Sequence, residues 1–152
     1  MQATVAATPH AVRCAVTIAD FVPPFRTPVV LLVDDDADTR EMYSIGLSAC
    51  GFDVLTAEDV EQAQTLACER EPDAVVTDAR LPGASGVALA QALRADVRTS
   101  RCAIVLLTGD VALGESPRHR PYDCFLAKPC TPQRLAQELV GLLVSRVPAL
   151  QH

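Results

Sequence analysis

The sequence predicts an α/β protein with a doubly wound, five-stranded parallel sheet. Three observations predict it. From residue 28 onward, short apolar runs alternate with segments of helical period, the pattern of repeated βα units. The runs are continuously apolar rather than alternating, which implies burial on both faces. They also end on polar or charged residues, where a parallel sheet gathers its ligands.

The strands are read as VVLLV (29–33), DVLTA (53–57), AVVT (74–77), AIVLL (103–107) and CFLA (124–127). After the first comes a helical stripe of Met42, Ile45 and Ala49, with Asp38 at the N-cap position. Val60, Ala63 and Ala67 form the second stripe, and Leu89, Ala92 and Leu93 the third, after the turn-forming LPGASG. The fourth unit is weak. In GDVALGESPRHRPYD (109–123), Gly114, Pro117 and Pro121 leave space for about two turns of helix at most, so a shortened or irregular fourth helix is expected. Thr131 then caps a last helix whose stripe is Leu135, Leu139 and Leu142.

The 152 residues suffice for one domain with a real core. Residues 1–27, ending in PPFRTP, read as a tail or linker, 28–146 as the domain and 147–152 as a C-terminal tail. A net charge of −6 argues against nucleic-acid and anionic-membrane binding, which need concentrated Lys and Arg, and favours protein partners. Asp20 interrupts the apolar N-terminal stretch, no basic region precedes it, and no run is long enough to span a bilayer. The six cysteines show no metal or disulfide spacing and read as reduced thiols of a cytoplasmic protein.

VVLLVDDDADTR raises the functional question, because a buried strand runs into three aspartates. If strands one, three, four and five are neighbours, Asp34, Asp35, Asp78, Thr108 and Lys128 meet at one sheet edge. Three carboxylates and one ammonium leave a charge of −2, which a divalent ion neutralises. Oxygen donors suit Mg²⁺, with Mn²⁺ as a substitute, and Mg²⁺ prefers to share its shell with phosphate oxygens.

These residues resemble the receiver domain of response regulators in two-component and phosphorelay signalling. LLVDD, DAVVTDARLPGASG, IVLLTG and FLAKP come in that family's order, thirty positions separate Asp78 from Thr108, and the likeness covers about residues 28–146. The resemblance implies a flavodoxin-like sheet of order 2-1-3-4-5. It also implies that Asp78 is the phosphoacceptor and that Asp34, Asp35, Asp78 and the backbone carbonyl of Arg80 hold the metal. Thr108 would meet a phosphoryl oxygen, Lys128 would pair with the phosphoryl or with Asp78, and Thr108 and Phe125 would form the switch. The Lys128–Pro129 bond matches one that is usually cis in the family. The phosphodonor would be a histidine kinase or a histidine phosphotransfer protein. Output would pass to a downstream protein from a monomer or weak dimer with no output domain. The chain would be a regulatory phosphoacceptor that catalyses only its own phosphotransfer and dephosphorylation.

Some features depart from the pattern. Arg80 and Asp110, each two residues beyond a site residue, are placed to pair across the pocket mouth and alter the lifetime of an acyl phosphate. Thr108 to Lys128 spans twenty positions, two fewer than the family commonly has, and Arg120-Pro121-Tyr122 replaces a small turn. Phe125 lacks the hydroxyl that a switch tyrosine would carry. Two other readings stay open: an aspartate-based phosphatase acting on small molecules through Asp34, and a receiver-like module that binds partners without phosphate. An EF-hand beginning at Asp34 fails because Thr39 and Ile45 stand where glycine and glutamate are needed.

Overall fold

A computed structural model describes residues 26–109 and 120–146. The strands are β1 (Val29–Val33), β2 (Asp53–Ala57), β3 (Ala74–Asp78), β4 (Arg80–Leu81), β5 (Ala84–Ser85), β6 (Ala103–Thr108) and β7 (Cys124–Ala127). The helices are α1 (Ala37–Ala49), α2 (Val60–Arg70), α3 (Gly86–Ala95) and α4 (Pro132–Val144). Five strands pair in parallel in the order β2-β1-β3-β6-β7, while β4 and β5 form a separate antiparallel ribbon turned at Gly83 (φ 71°). The order matches the flavodoxin-like arrangement, and each predicted strand lies within two residues of its observed bounds.

Strand residues point alternately to two cores. Val30, Leu32, Val76, Val105 and Leu107 pack against Tyr43 and Leu47 of α1 and Leu135 and Leu139 of α4. Leu31, Val33, Val75, Ile104 and Leu106 pack against Ala63 and Ala67 of α2 and Leu89 and Leu93 of α3. The central strands are therefore buried on both sides, as their unbroken apolar runs require. Gly46 sits where α1 meets α4, and a Cβ there would lie 2.3 Å from Pro132 Cβ. Asp123 ties the opposite edge together. Its Oδ2 accepts from Arg94 Nη2 and the Ile104 N–H, each at 2.8 Å, and its Oδ1 lies 2.9 Å from Arg146 Nη2.

Several expectations are corrected. The buried stripe of α1 is Tyr43 and Leu47, whereas Met42 and Ile45 are 46% and 66% exposed and Ala49 also faces solvent. The N-cap of α1 is Asp36, whose carboxylate accepts from the Thr39 N–H at 2.9 Å. Asp38 lies inside the first turn, where a negative charge also suits the helix dipole. Cys50 is disulfide-bonded rather than reduced, while Cys68, Cys102, Cys124 and Cys130 are free. The expected short fourth helix falls mostly on residues 110–119, outside the described residues, as do nearly all of the two tails. No helix among the described residues is long and apolar enough to cross a membrane.

Candidate functional site

Strand ends build the site. β1, β3, β6 and β7 are consecutive in the sheet, so the residues at their carboxyl ends gather at one edge. Carboxylate oxygens of Asp34, Asp35 and Asp78 all come within 4.8 Å of one another. At that distance, two like charges repel by about 3 kcal/mol at an effective dielectric near 20. Lys128 offsets part of this, its Nζ lying 2.9 Å from Asp78 Oδ2 and 3.2 Å from Asp34 Oδ2. Partial burial pulls the ammonium down, but the hydrogen bond to Asp78 and the charge of Asp34 outweigh it, and its pKa stands above the ordinary lysine value.

The three acids occupy different environments. Asp34 is buried with every polar atom engaged. Its N–H donates to the Ala57 carbonyl (3.1 Å), and its own carbonyl accepts from Arg40 Nη1 (2.7 Å). Its Oδ1 accepts from the Asp36 N–H (2.9 Å), and its Oδ2 faces Lys128. Asp35 is exposed. Asp78 lies between these extremes, its side chain 17% exposed, with Oδ1 accepting from the Arg80 N–H at 3.0 Å and Oδ2 bound to Lys128.

Other features hold the acids in place. Thr108 is buried at the end of β6, and its carbonyl accepts from the Lys128 N–H at 2.8 Å, which fixes the start of the lysine loop. The Lys128–Pro129 bond is cis, as the resemblance implied. Tyr43 Oη donates to the Cys130 carbonyl at 2.6 Å and anchors the far side of that loop to α1. Gly86, the first residue of α3, allows the close approach behind Asp78, where a Cβ would lie 2.1 Å from the Asp78 carbonyl oxygen. Phe125 is half-buried against the core on the α2 and α3 side, which also holds Tyr122.

The structure thus brings Asp34, Asp35, Asp78 and Lys128 together, with Thr108 and Arg80 beside them. Asp110, the expected partner of Arg80, lies outside the described residues. Arg40, Tyr43 and Gly86 were not singled out by sequence. The one available signal was the placement of Arg40 one helical turn after the acidic run. A donor set of three hard carboxylates beside a cation fits Mg²⁺ or Mn²⁺ chemistry.

Comparison with known proteins agrees with this geometry. The chain belongs to the response regulator receiver domain family, whose model matches residues 30–140. Over 119 residues it is 35% identical to the phosphate regulon transcriptional regulatory protein PhoB of Pseudomonas aeruginosa, covering 75% of this chain and 51% of that protein. Over 112 residues it is 41% identical to the DNA-binding response regulator MtrA of Mycobacterium tuberculosis, covering 70% of this chain and 46% of that one. The chain spans about half the length of these curated relatives. The chemotaxis response regulator CheY4 of Vibrio cholerae superposes with a TM-score of 0.71 at 26% identity, over 77% of this chain and 99% of that one.

Proposed function

We propose that this receiver domain, residues 28–146, accepts a phosphoryl group on Asp78 from the phosphohistidine of a histidine kinase or a histidine phosphotransfer protein. The phosphorus–nitrogen bond to the donor imidazole breaks as a bond forms from phosphorus to an Asp78 carboxylate oxygen, and the imidazole leaves with its electron pair. Such transfers depend mainly on positioning and charge stabilisation. The observation that carries the reading is the Lys128 ammonium held between Asp34 and Asp78, with three carboxylates converging beside it. Mg²⁺, bound through Asp34, Asp35, Asp78 and the Arg80 carbonyl, would offset charge on the transferred group. Lys128 would keep one positive charge on the acceptor throughout, and Thr108 would meet a phosphoryl oxygen.

Phosphorylation would add charge at Asp78 and draw Thr108 inward, and Phe125 would follow, altering a surface read by a downstream protein. Arg80 would restrict water at the mouth of the pocket and so lengthen or shorten the life of the acyl phosphate, with Asp110 as its expected partner. The protein would act as a regulatory module in the cytoplasm rather than on external substrates.

Burial argues against a phosphatase using Asp34. Both of its oxygens are engaged and it is 2% exposed, whereas Asp78 is reachable. The test is phosphorylation by acetyl phosphate with Mg²⁺, followed by borohydride trapping and peptide mapping. An adduct on Asp78, lost in Asp78→Asn, is expected. An adduct on Asp34 would favour the phosphatase, and none at all the phosphate-independent module.

A further inference from the structure

We infer that Arg40 is a positioning residue that preorganises the acidic pair for its cation, an inference that rests on the cation reading given above. Its guanidinium donates through Nη1 to the Asp34 carbonyl at 2.7 Å, and its Nη2 stands 3.7 Å from Glu58 Oε2 in the turn between β2 and α2. The Arg40 side chain is only 19% exposed although it lies on the first turn of a surface helix.

The carbonyl that Arg40 holds belongs to the peptide joining Asp34 to Asp35. Fixing that peptide plane fixes the last backbone torsion of Asp34 and the first of Asp35. The Asp34 N–H is already bound to the Ala57 carbonyl, and Asp34 Oδ1 takes the Asp36 N–H. Arg40 therefore supplies the remaining constraint on a turn that must present the exposed Asp35 carboxylate toward Asp34 and Asp78. A charge-assisted hydrogen bond suits the task, being short and directional. The Glu58 contact is long and exposed on the glutamate side, so it adds little.

Electrostatics and positioning make opposite predictions. As a fixed positive charge near the acids, the guanidinium opposes cation binding, so its removal on charge grounds alone would tighten the site. As a positioning group it favours binding, and its removal would loosen the site.

The test titrates MgCl₂ calorimetrically into the full chain and its variants, with amide exchange measured on the metal-free proteins. Arg40→Ala is expected to raise the Mg²⁺ dissociation constant about five- to tenfold, the net worth of roughly one ordinary hydrogen bond. The N–H groups of Asp35 and Asp36 should exchange faster while those of the sheet do not. Arg40→Lys, which keeps the charge and one donor, should fall between, and it stands in if the alanine variant does not fold. Glu58→Ala should change the constant by less than about twofold. Tighter or unchanged binding in Arg40→Ala, with unaltered exchange at Asp35 and Asp36, overturns the proposal while leaving the cation reading intact. A parent protein that takes up no Mg²⁺ overturns both.

Discussion

Lys128 Nζ donates to Asp78 Oδ2 at 2.9 Å across the full width of β6, so the end of the edge strand is tied to the end of the central one. The same ammonium reaches Asp34 beyond it at 3.2 Å, so one cation serves the side chains of both acids.

Removing that ammonium leaves a buried carboxylate oxygen of Asp34 without its partner. Lys128→Met is therefore expected to lower the unfolding free energy in metal-free buffer by about 1–3 kcal/mol. Added Mg²⁺ should recover part of the loss. Urea denaturation with and without the ion checks this, and equal stability of parent and variant in metal-free buffer would refute it.

The raised pKa of Lys128 carries a pH dependence of definite sign. A base whose folded pKa exceeds its unfolded value binds its proton more tightly in the folded state, so its contribution is complete below the ordinary lysine value of 10.5 and fades as pH rises through the folded pKa. Above neutral pH, the stability gap between the parent and Lys128→Met should hold until that alkaline range and narrow there. A gap that closes near neutral pH would contradict the assignment.

Gly86→Ala tests the close approach behind the acceptor. An alanine is the better helix former by about 1 kcal/mol, and propensity alone would stabilise α3. Its Cβ would instead meet the Asp78 carbonyl oxygen at 2.1 Å and Leu106 Cδ1 at 3.1 Å. Backbone cannot yield as a side chain does, so a net loss of about 1–3 kcal/mol is expected, together with slower phosphorylation of Asp78. Thermal unfolding and acetyl phosphate labelling measure both effects.

Tyr43→Phe removes only the donor to the Cys130 carbonyl and leaves the ring packed against Leu47 and its neighbours. A cost of about 1 kcal/mol is expected. Amide exchange should quicken around Thr131 rather than across the sheet, and a uniform change would show that the bond does not hold the lysine loop.

Asp123→Asn separates charge from hydrogen bonding at the far edge. The amide oxygen still accepts from the Ile104 N–H, whereas Asp123→Ala leaves that N–H without its acceptor and takes the carboxylate from two guanidiniums that keep only backbone carbonyls. Alanine should cost about 2 kcal/mol and asparagine distinctly less, as read by denaturant midpoints.

Much of this architecture is legible in the sequence. The parallel strands announced themselves because burial on both faces leaves no polar alternation, and Asp34, Asp35, Asp78, Thr108 and Lys128 were found because strand ends in such a sheet share one edge. Helix α1 was misread for a physical reason. Met42, Ile45 and Ala49 form an apolar stripe as plausible as Tyr43 and Leu47, and the direction in which the chain leaves β1 decides which one turns inward. The cap was misassigned by two residues within a run of several aspartates, each chemically able to serve. Arg40, Tyr43 and Gly86 act on backbone carbonyls, and such contacts leave no spacing pattern in a sequence.

The near-collision of Gly46 with Pro132 joins the first and last helices as a matched pair. A chimaera that imports a foreign first helix to redirect partner choice would carry a side chain into the proline ring unless the donor also has glycine at that point. Rewiring this face therefore calls for transplanting both helices at once, because the nearest proline atom is the Cβ, which any residue but glycine at 132 would keep.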